Sequence, residues 1–289
     1  MGGRLECLER RVVNARHTRE KGATKNSAQY WGIRYPAKLL ASLKSNAAND
    51  AAMNKLKIAE LYAKTRLHKI RVKRSIAIID RAFATLPESA WYVAFSGGKD
   101  STVVSSLVSW LPRLYVDEEW LLPETEEYLQ RTKALHRIKK RDEHAEFFTA
   151  WENDSSAWTG KNVTGRYAQS QGWGGVFLGL RKEESSERKI HLETQGPLFY
   201  NKSRQMWQCN PIADWTWQDV WGYIVSSNSD YNRAYDRLDQ IDVEPERQRI
   251  GPLAQRKVLQ YGQMVILKRG WPDLYNEFAA KYPEAKGYS

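Results

Sequence analysis

The sequence predicts an α/β protein: a mostly parallel, doubly wound sheet with helices on both faces, preceded by a basic helical N-terminal region. Three observations predict it. From residue 91 onward, short apolar runs alternate with stretches of helical period, the pattern of strands joined by crossover helices. The first apolar run passes through a Ser-Gly-Gly turn directly into a helical stretch. Residues 54–85 carry apolar side chains at helical spacing with Lys and Arg on most of the other face. The apolar share of 42% over 289 residues is enough for a sizeable core. No apolar run approaches the ~20 residues of a membrane-spanning helix, so no membrane partner is expected. Cys7 and Cys209 are the only cysteines. They make neither a disulfide framework nor a Cys-x-x-Cys site, so no zinc or iron–sulfur cluster is expected, and a reducing cytoplasm is the expected location.

The elements follow in order. Residues 1–53 are rich in breakers (Gly2, Gly3, Gly22, Gly32, Pro36) and read as a basic arm with a short helix near Lys38–Lys44. Met53 offers an alternative start, because the organised pattern begins just after it. Over 54–88, Leu56, Ala59, Ala63, Leu67, Ile70, Ile76, Ile79 and Phe83 give a helix or helix pair that Pro87 closes. The nucleotide-binding domain expected over 89–250 starts with a buried strand, Trp91–Phe95, and a helix, Ser101–Trp110, with Val103, Val104, Leu107 and Val108 inward. Leu114–Val116 reads as a second strand and Glu124–Arg141 as one amphipathic helix, acidic early and basic late as the helix dipole prefers. Ala145–Ala150 and Gly175–Leu180 read as further strands, and the polar stretch Ser155–Trp173 as a long loop over the site. Thr216, with Asp219 three residues on, resembles a capping box ahead of an inward stripe of Trp217, Val220, Trp221 and Ile224. Residues 251–289 read as one or two packing helices with a tail after Pro283.

The net charge of +11 is unevenly spread. Residues 1–90 hold 19 Lys and Arg against 7 Asp and Glu, whereas residues 91–289 hold 26 against 27. A basic block of this kind is either a solvated helical face or a contact for nucleic acid or an acidic protein.

The chemistry concentrates at Ser96-Gly97-Gly98-Lys99-Asp100-Ser101. Two glycines let the backbone turn sharply and let phosphate oxygens approach. Amides at the start of the following helix point at the same spot, where the helix dipole favours an anion. Lys99 adds a positive charge, the Ser96 and Ser101 hydroxyls are donors, and Asp100 is a candidate magnesium ligand. The spacing is neither that of a Walker A loop nor the dinucleotide Gly-x-Gly-x-x-Gly. The hexapeptide resembles the Ser-Gly-Gly-x-Asp-Ser PP-loop of the ATP pyrophosphatase superfamily.

A second segment, Arg181-Lys182-Glu183-Glu184-Ser185-Ser186-Glu187-Arg188, resembles the Gly-x-Arg-x-x-Glu-Ser-x-x-Arg stretch of the phosphoadenosine phosphosulfate (PAPS) reductase family within that superfamily. A third, Pro211-Ile212-Ala213-Asp214-Trp215-Thr216 running on to Asp219-Val220-Trp221, and a fourth, Tyr231-Asn232-x-x-Tyr235-Asp236, resemble the same family. Asp117-Glu118-Glu119 stands where relatives carry Asp-Thr-Gly. The resemblance covers about residues 91–240. It implies an adenine nucleotide alpha-hydrolase-like fold, a bound ATP or PAPS- or APS-like nucleotide with Mg2+, and a possible homodimer. It also implies nucleotide contacts from Ser96, Gly97, Gly98, Lys99, Asp100, Ser101, Asp117, Arg181, Glu184, Ser185 and Arg188, with Lys99, Asp100, Arg181 and Arg188 as the catalytic set.

The chain departs from the reductases in its thiols. It has no Glu-Cys-Gly-x-His motif, and Arg249-Ile250-Gly251-Pro252-Leu253 stands where many relatives carry paired cysteines. Without a thiolate, the known reductive route has no nucleophile. The expected activity is therefore cleavage of ATP between its α- and β-phosphates, which adenylates an acceptor of unknown identity and releases pyrophosphate. The alternatives are a nucleic-acid-associated enzyme anchored by residues 1–90, and a nucleotide-binding module that regulates a partner without turnover.

Overall fold

A computed structural model of the chain describes residues 55–117, 120–139, 161–251 and 262–288. The arm expected over 1–53, the strand expected over Ala145–Ala150, and Leu253 and Val258 lie outside the described residues. The basic region forms helical residues 55–63, a break at 64–65, and α1 (Arg66–Phe83), whose N-cap Thr65 accepts a hydrogen bond from the His68 amide. After a 3-10 turn come β1 (Trp91–Ala94), α2 (Lys99–Leu107) and β2 (Arg113–Asp117). Then come α3 (Pro123–Arg131), β3 (Leu135–Lys139), α4 (Lys161–Ser170) and β4 (Gly175–Phe177). The chain continues through α5 (Ser186–Gln195), β5 (Leu198–Asn201), β6 (Met206–Cys209), α6 (Trp217–Ser226) and α7 (Ala234–Gln240). It closes with α8 (Gln263–Gly270), α9 (Pro272–Lys281) and a 3-10 segment, Pro283–Tyr288, where a tail was expected.

Among the described residues, six strands run in the order β3-β2-β1-β4-β6-β5. All neighbours are parallel except the β5–β6 hairpin at the edge. Alternate residues of β1 face opposite sides, as the two-residue strand period requires. Trp91 and Val93 join Phe177, Ile212, Trp215, Val220, Trp221 and Ile224 in the larger core. Tyr92 joins Leu114, Trp173, Val176 and Ala168 of α4 on the other side. The sheet is thus covered on both faces, as the doubly wound expectation required.

Three local readings are corrected. The helix expected over Glu124–Arg141 ends at Arg131, and Leu135–Lys139 form β3, with residues 140–141 outside the described residues. Leu135 to Lys139 pair with Arg113 to Asp117 residue by residue. Arg137 and Lys139, which looked like helix C-terminal charges, belong to this strand, so tertiary pairing overrides the local pattern. The loop expected over Ser155–Trp173 contains α4. The β5–β6 hairpin was not expected at all. Its four-residue strands are too short for a clear period, and its turn contains Gln205 at φ +52° rather than a glycine.

The capping box on α6 is as the sequence suggested. The Thr216 side chain accepts from the Asp219 amide, and the Asp219 carboxylate accepts from the Thr216 amide at 2.8 Å. Asp219 is fully buried and also binds His68 Nδ1 (3.1 Å) and the Arg71 guanidinium. Ser75 of α1 donates to the Pro211 carbonyl at 2.7 Å. These contacts fix the rotation of α1 on the domain.

Candidate active site

β1 ends at the middle of the sheet, and the chain turns into α2 through Ser96-Gly97-Gly98. Gly97 sits at φ +71°, where a side chain is strained. The turn is tied internally: Ser101 Oγ donates to the Gly98 carbonyl (2.9 Å) and accepts from the Ser96 amide (3.2 Å), and the two serine hydroxyls lie 3.1 Å apart. It is also held from outside. Asn232 Nδ2 donates to the Gly97 carbonyl (3.2 Å) and to Thr125 Oγ1 (2.8 Å), and the Lys99 amide donates to the Tyr235 hydroxyl (2.9 Å). Among the described residues, the amides of Asp100 and Ser101 take no acceptor, which leaves two donors at the N-terminus of α2.

The loop borders a cavity of about 1580 Å3. Of the sequence-predicted residues, Ser96, Gly98, Asp100, Ser101, Glu184, Ser185 and Arg188 line it, and Gly97, Lys99, Arg181 and Asp117 do not. Lys99 is 2% exposed; its ammonium donates to the Gln248 carbonyl at 2.7 Å and lies 3.5 Å from Asp100. Burial opposes its charged form and pulls its pKa down, although Asp100 partly offsets this. Arg181 is equally buried. Its Nε donates to Asp100 Oδ1 at 2.6 Å, and its Nη1 reaches Glu183 (2.5 Å) and the Trp215 carbonyl (3.4 Å). Burial raises the Asp100 pKa, but Lys99 and Arg181 outweigh it and hold the carboxyl below its usual range. Both Asp100 oxygens are therefore engaged by cations, which does not fit the magnesium role suggested for this residue. Among the described residues no cluster of three His, Cys, Asp or Glu side chains has metal-binding geometry. Asp117 pairs with Arg137 of β3 at 2.9 Å instead of facing the cavity.

Gly179 explains how Arg181 reaches the loop. A Cβ at residue 179 would lie 2.8 Å from the Asp100 carbonyl carbon and 3.0 Å from the Ser101 amide, so only glycine lets the chain after β4 pass so close. Glu184 Oε2 accepts from the Arg181 amide (3.0 Å) and pairs with Arg188, and Ser185 caps α5 by accepting from the Arg188 amide at 3.2 Å. Arg188, 40% exposed at the cavity wall, is the predicted arginine that faces the space.

Sequence reasoning assigned no site role to Asn232, Tyr235 or Gln248. The first two stood in a motif whose facing partner no spacing rule reveals. Gln248 contributes through its backbone carbonyl, which carries no sequence signal. Behind Lys99, Gln248 Nε2 donates to Asp239 Oδ1 (2.5 Å), and Asp239 Oδ2 accepts from Lys55 (2.5 Å). A buried polar chain thus runs from residue 55 to the loop.

A serine–glycine loop at the C-terminal end of a central parallel strand, feeding a helix N-terminus beside a large cavity, is the arrangement that the resemblance of Ser96–Ser101 to a PP-loop implies. Residues 90–240 match the model of the phosphoadenosine phosphosulfate reductase domain, and the chain belongs to that family. It is 39% identical over 59 residues to adenosine 5'-phosphosulfate reductase of Anoxybacillus flavithermus, a match covering 20% of this chain and 23% of that protein. The chain therefore spans about a quarter of the length of the curated relatives it matches. PAPS reductase from Candida auris, solved as a phosphate complex, is similar with a TM-score of 0.44 and 18% identity over 63% of this chain and 89% of that one. The U34-tRNA thiolase NcsA of Methanococcus maripaludis is similar with a TM-score of 0.42 and 13% identity over 76% of this chain and 79% of that one.

Proposed function

We propose that the cavity at the Ser96–Ser101 loop binds ATP or a related adenine nucleotide, and that the protein cleaves ATP between the α- and β-phosphates. An acceptor oxygen attacks the α-phosphorus, the bond from that phosphorus to the α–β bridging oxygen breaks, and pyrophosphate leaves with the bond's electron pair. The acceptor retains the adenylyl group. The observation that carries this reading is the pair of amides, Asp100 and Ser101, without an acceptor among the described residues, at a helix N-terminus on the wall of a cavity large enough for a nucleotide. The Ser96 hydroxyl adds a donor, and Arg188 faces the same space, where its planar fork suits a phosphate. In this reading Lys99, Asp100 and Arg181 hold the loop in shape, and Arg188 and the loop donors meet the developing charge.

Reduction through a thiolate has little support. Cys209 is buried against the core, and burial pushes its thiol well above the ordinary range. The test is calorimetric titration with ATP, followed by pyrophosphate release over a panel of oxyanion and hydroxyl acceptors. Binding with acceptor-dependent release is expected. Binding without release under any acceptor would reduce the protein to a nucleotide-binding module, and absence of both would remove the nucleotide reading.

A further inference from the structure

We infer that the solvent face of α1 is a docking surface for the phosphate backbone of a nucleic acid. The helix carries five exposed cations, Arg66, Lys69, Lys73, Arg74 and Arg81, and one acidic residue, Asp80. At 100° per residue the five fall within a sector of about 140°, and at 1.5 Å per residue they extend over about 22 Å. The inner side of α1 is fixed by Ser75 on the Pro211 carbonyl and by His68 and Arg71 on Asp219, so the basic sector keeps one orientation toward solvent.

None of the five makes an ion pair among the described residues. A merely solvated helix balances its surface with i,i+4 pairs. The preceding helical segment does so with Glu60 and Lys64 at 2.9 Å. α1 instead concentrates like charge with one carboxylate to offset it. A duplex alongside would present about one negative charge per 1.7 Å, roughly a dozen over the length of this stripe. A sector that holds five long cations and one carboxylate suits such a continuous line of phosphates better than the mixed charges of a protein surface. The inference rests on α1 alone and does not depend on the nucleotide reading.

Fluorescence anisotropy of the full chain with a labelled 20-base-pair DNA duplex and a 20-nucleotide RNA, at 50 and 200 mM NaCl, tests it. If the five cations each neutralise one phosphate, affinity for the duplex falls about 500-fold between the two salts. The variant Arg66→Gln/Lys69→Gln/Lys73→Gln should shrink that salt-dependent loss about 40-fold, because three counterion-releasing contacts disappear. Its thermal unfolding and its ATP binding should match the parent, since all three side chains are exposed and lie outside the cavity lining. Parental affinity and salt slope in the variant, or no binding of either probe at 50 mM NaCl, would overturn the inference. Equal competition by poly-glutamate would overturn it in favour of an acidic protein partner.

Discussion

Replacing Lys99 by Met separates two meanings of the lysine in the loop. The ammonium is buried, 2.7 Å from the Gln248 carbonyl and 3.5 Å from Asp100, and it does not line the cavity. A hydrogen bond from a charged group contributes about 1.5–3 kcal/mol, and removing one partner leaves the other unsatisfied. Methionine has nearly the length of lysine and avoids the burial penalty of the ammonium, which offsets part of that loss. The net cost is about 2 kcal/mol, which lowers the melting temperature by about 4–8 °C in a chain of this size. Because the loop donors remain, ATP affinity of the folded variant should stay within about tenfold of the parent, or about 1.4 kcal/mol. Thermal unfolding followed by circular dichroism and calorimetric titration at a temperature where both proteins are folded give the two numbers. An unchanged melting temperature with an affinity loss above about a hundredfold would mean that Lys99 reaches the ligand, and the buried-anchor reasoning would fall.

Other perturbations test neighbouring parts of the structure. Asp219→Asn leaves His68 and Arg71 without their carboxylate and should cost about 3 kcal/mol at neutral pH, read by urea unfolding. Burial raises the Asp219 pKa, but hydrogen bonds from His68 and Thr216 and the charge of Arg71 outweigh it and hold the pKa below the ordinary 3.8. Its contribution is therefore complete above pH 3.8 and lost as pH falls through the depressed value, so the variant should show a shallower acid-unfolding slope than the parent. An identical slope would remove this assignment. Gly179→Ala forces a methyl onto the Asp100–Ser101 backbone, an overpacking cost of about 1–3 kcal/mol, and should weaken ATP binding by about 5- to 150-fold as the loop is displaced. Arg181→Lys loses the fork that joins Asp100, Glu183 and the Trp215 carbonyl, and should lower ATP affinity and stability together. In a Cys7→Ser background, a thiol reagent should label Cys209 only on unfolding. Rapid labelling of the native chain would revive thiolate chemistry.

What was legible in the sequence divides along a physical line. Features set by neighbours in the chain could be read directly. The internal ties of the Ser96–Ser101 turn and of the Thr216–Asp219 capping box join residues at most five positions apart. Features set by distant contacts could not. Nothing local distinguishes a helix extending to Arg141 from one that stops at Arg131, because β2 supplies the pairing that makes Leu135–Lys139 a strand. The same holds at the site. Lys99 reads as a phosphate ligand until Gln248, 149 residues away, is placed against it, and Asp117 reads as a ligand contact until β3 brings Arg137 alongside.

That division explains why so much charge in the signature is turned inward. A loop that presents backbone amides to an anion works only if those amides are already aimed when the ligand arrives, since reorganisation at that moment would cost affinity. Glycines give the turn its shape but also its freedom, so the shape must be imposed from outside. Here Asn232 and Tyr235 hold the turn by its Gly97 carbonyl and Lys99 amide, and Arg181 and Lys99 clamp Asp100 from two sides. A charged clamp has a specific advantage over an apolar one. Each buried ion is tolerable only while its partner is in place, so any displacement of the loop exposes an uncompensated charge and is resisted over a short distance. The outward residues, Ser96, Ser101 and Arg188, can then stay chemically simple, because the precision of the site resides in the layer behind them. Changes in that hidden layer should therefore cost stability first and affinity only as far as the loop is displaced, whereas Arg188→Ala, which removes an exposed cation and leaves the loop scaffold intact, should lower affinity with little loss of stability.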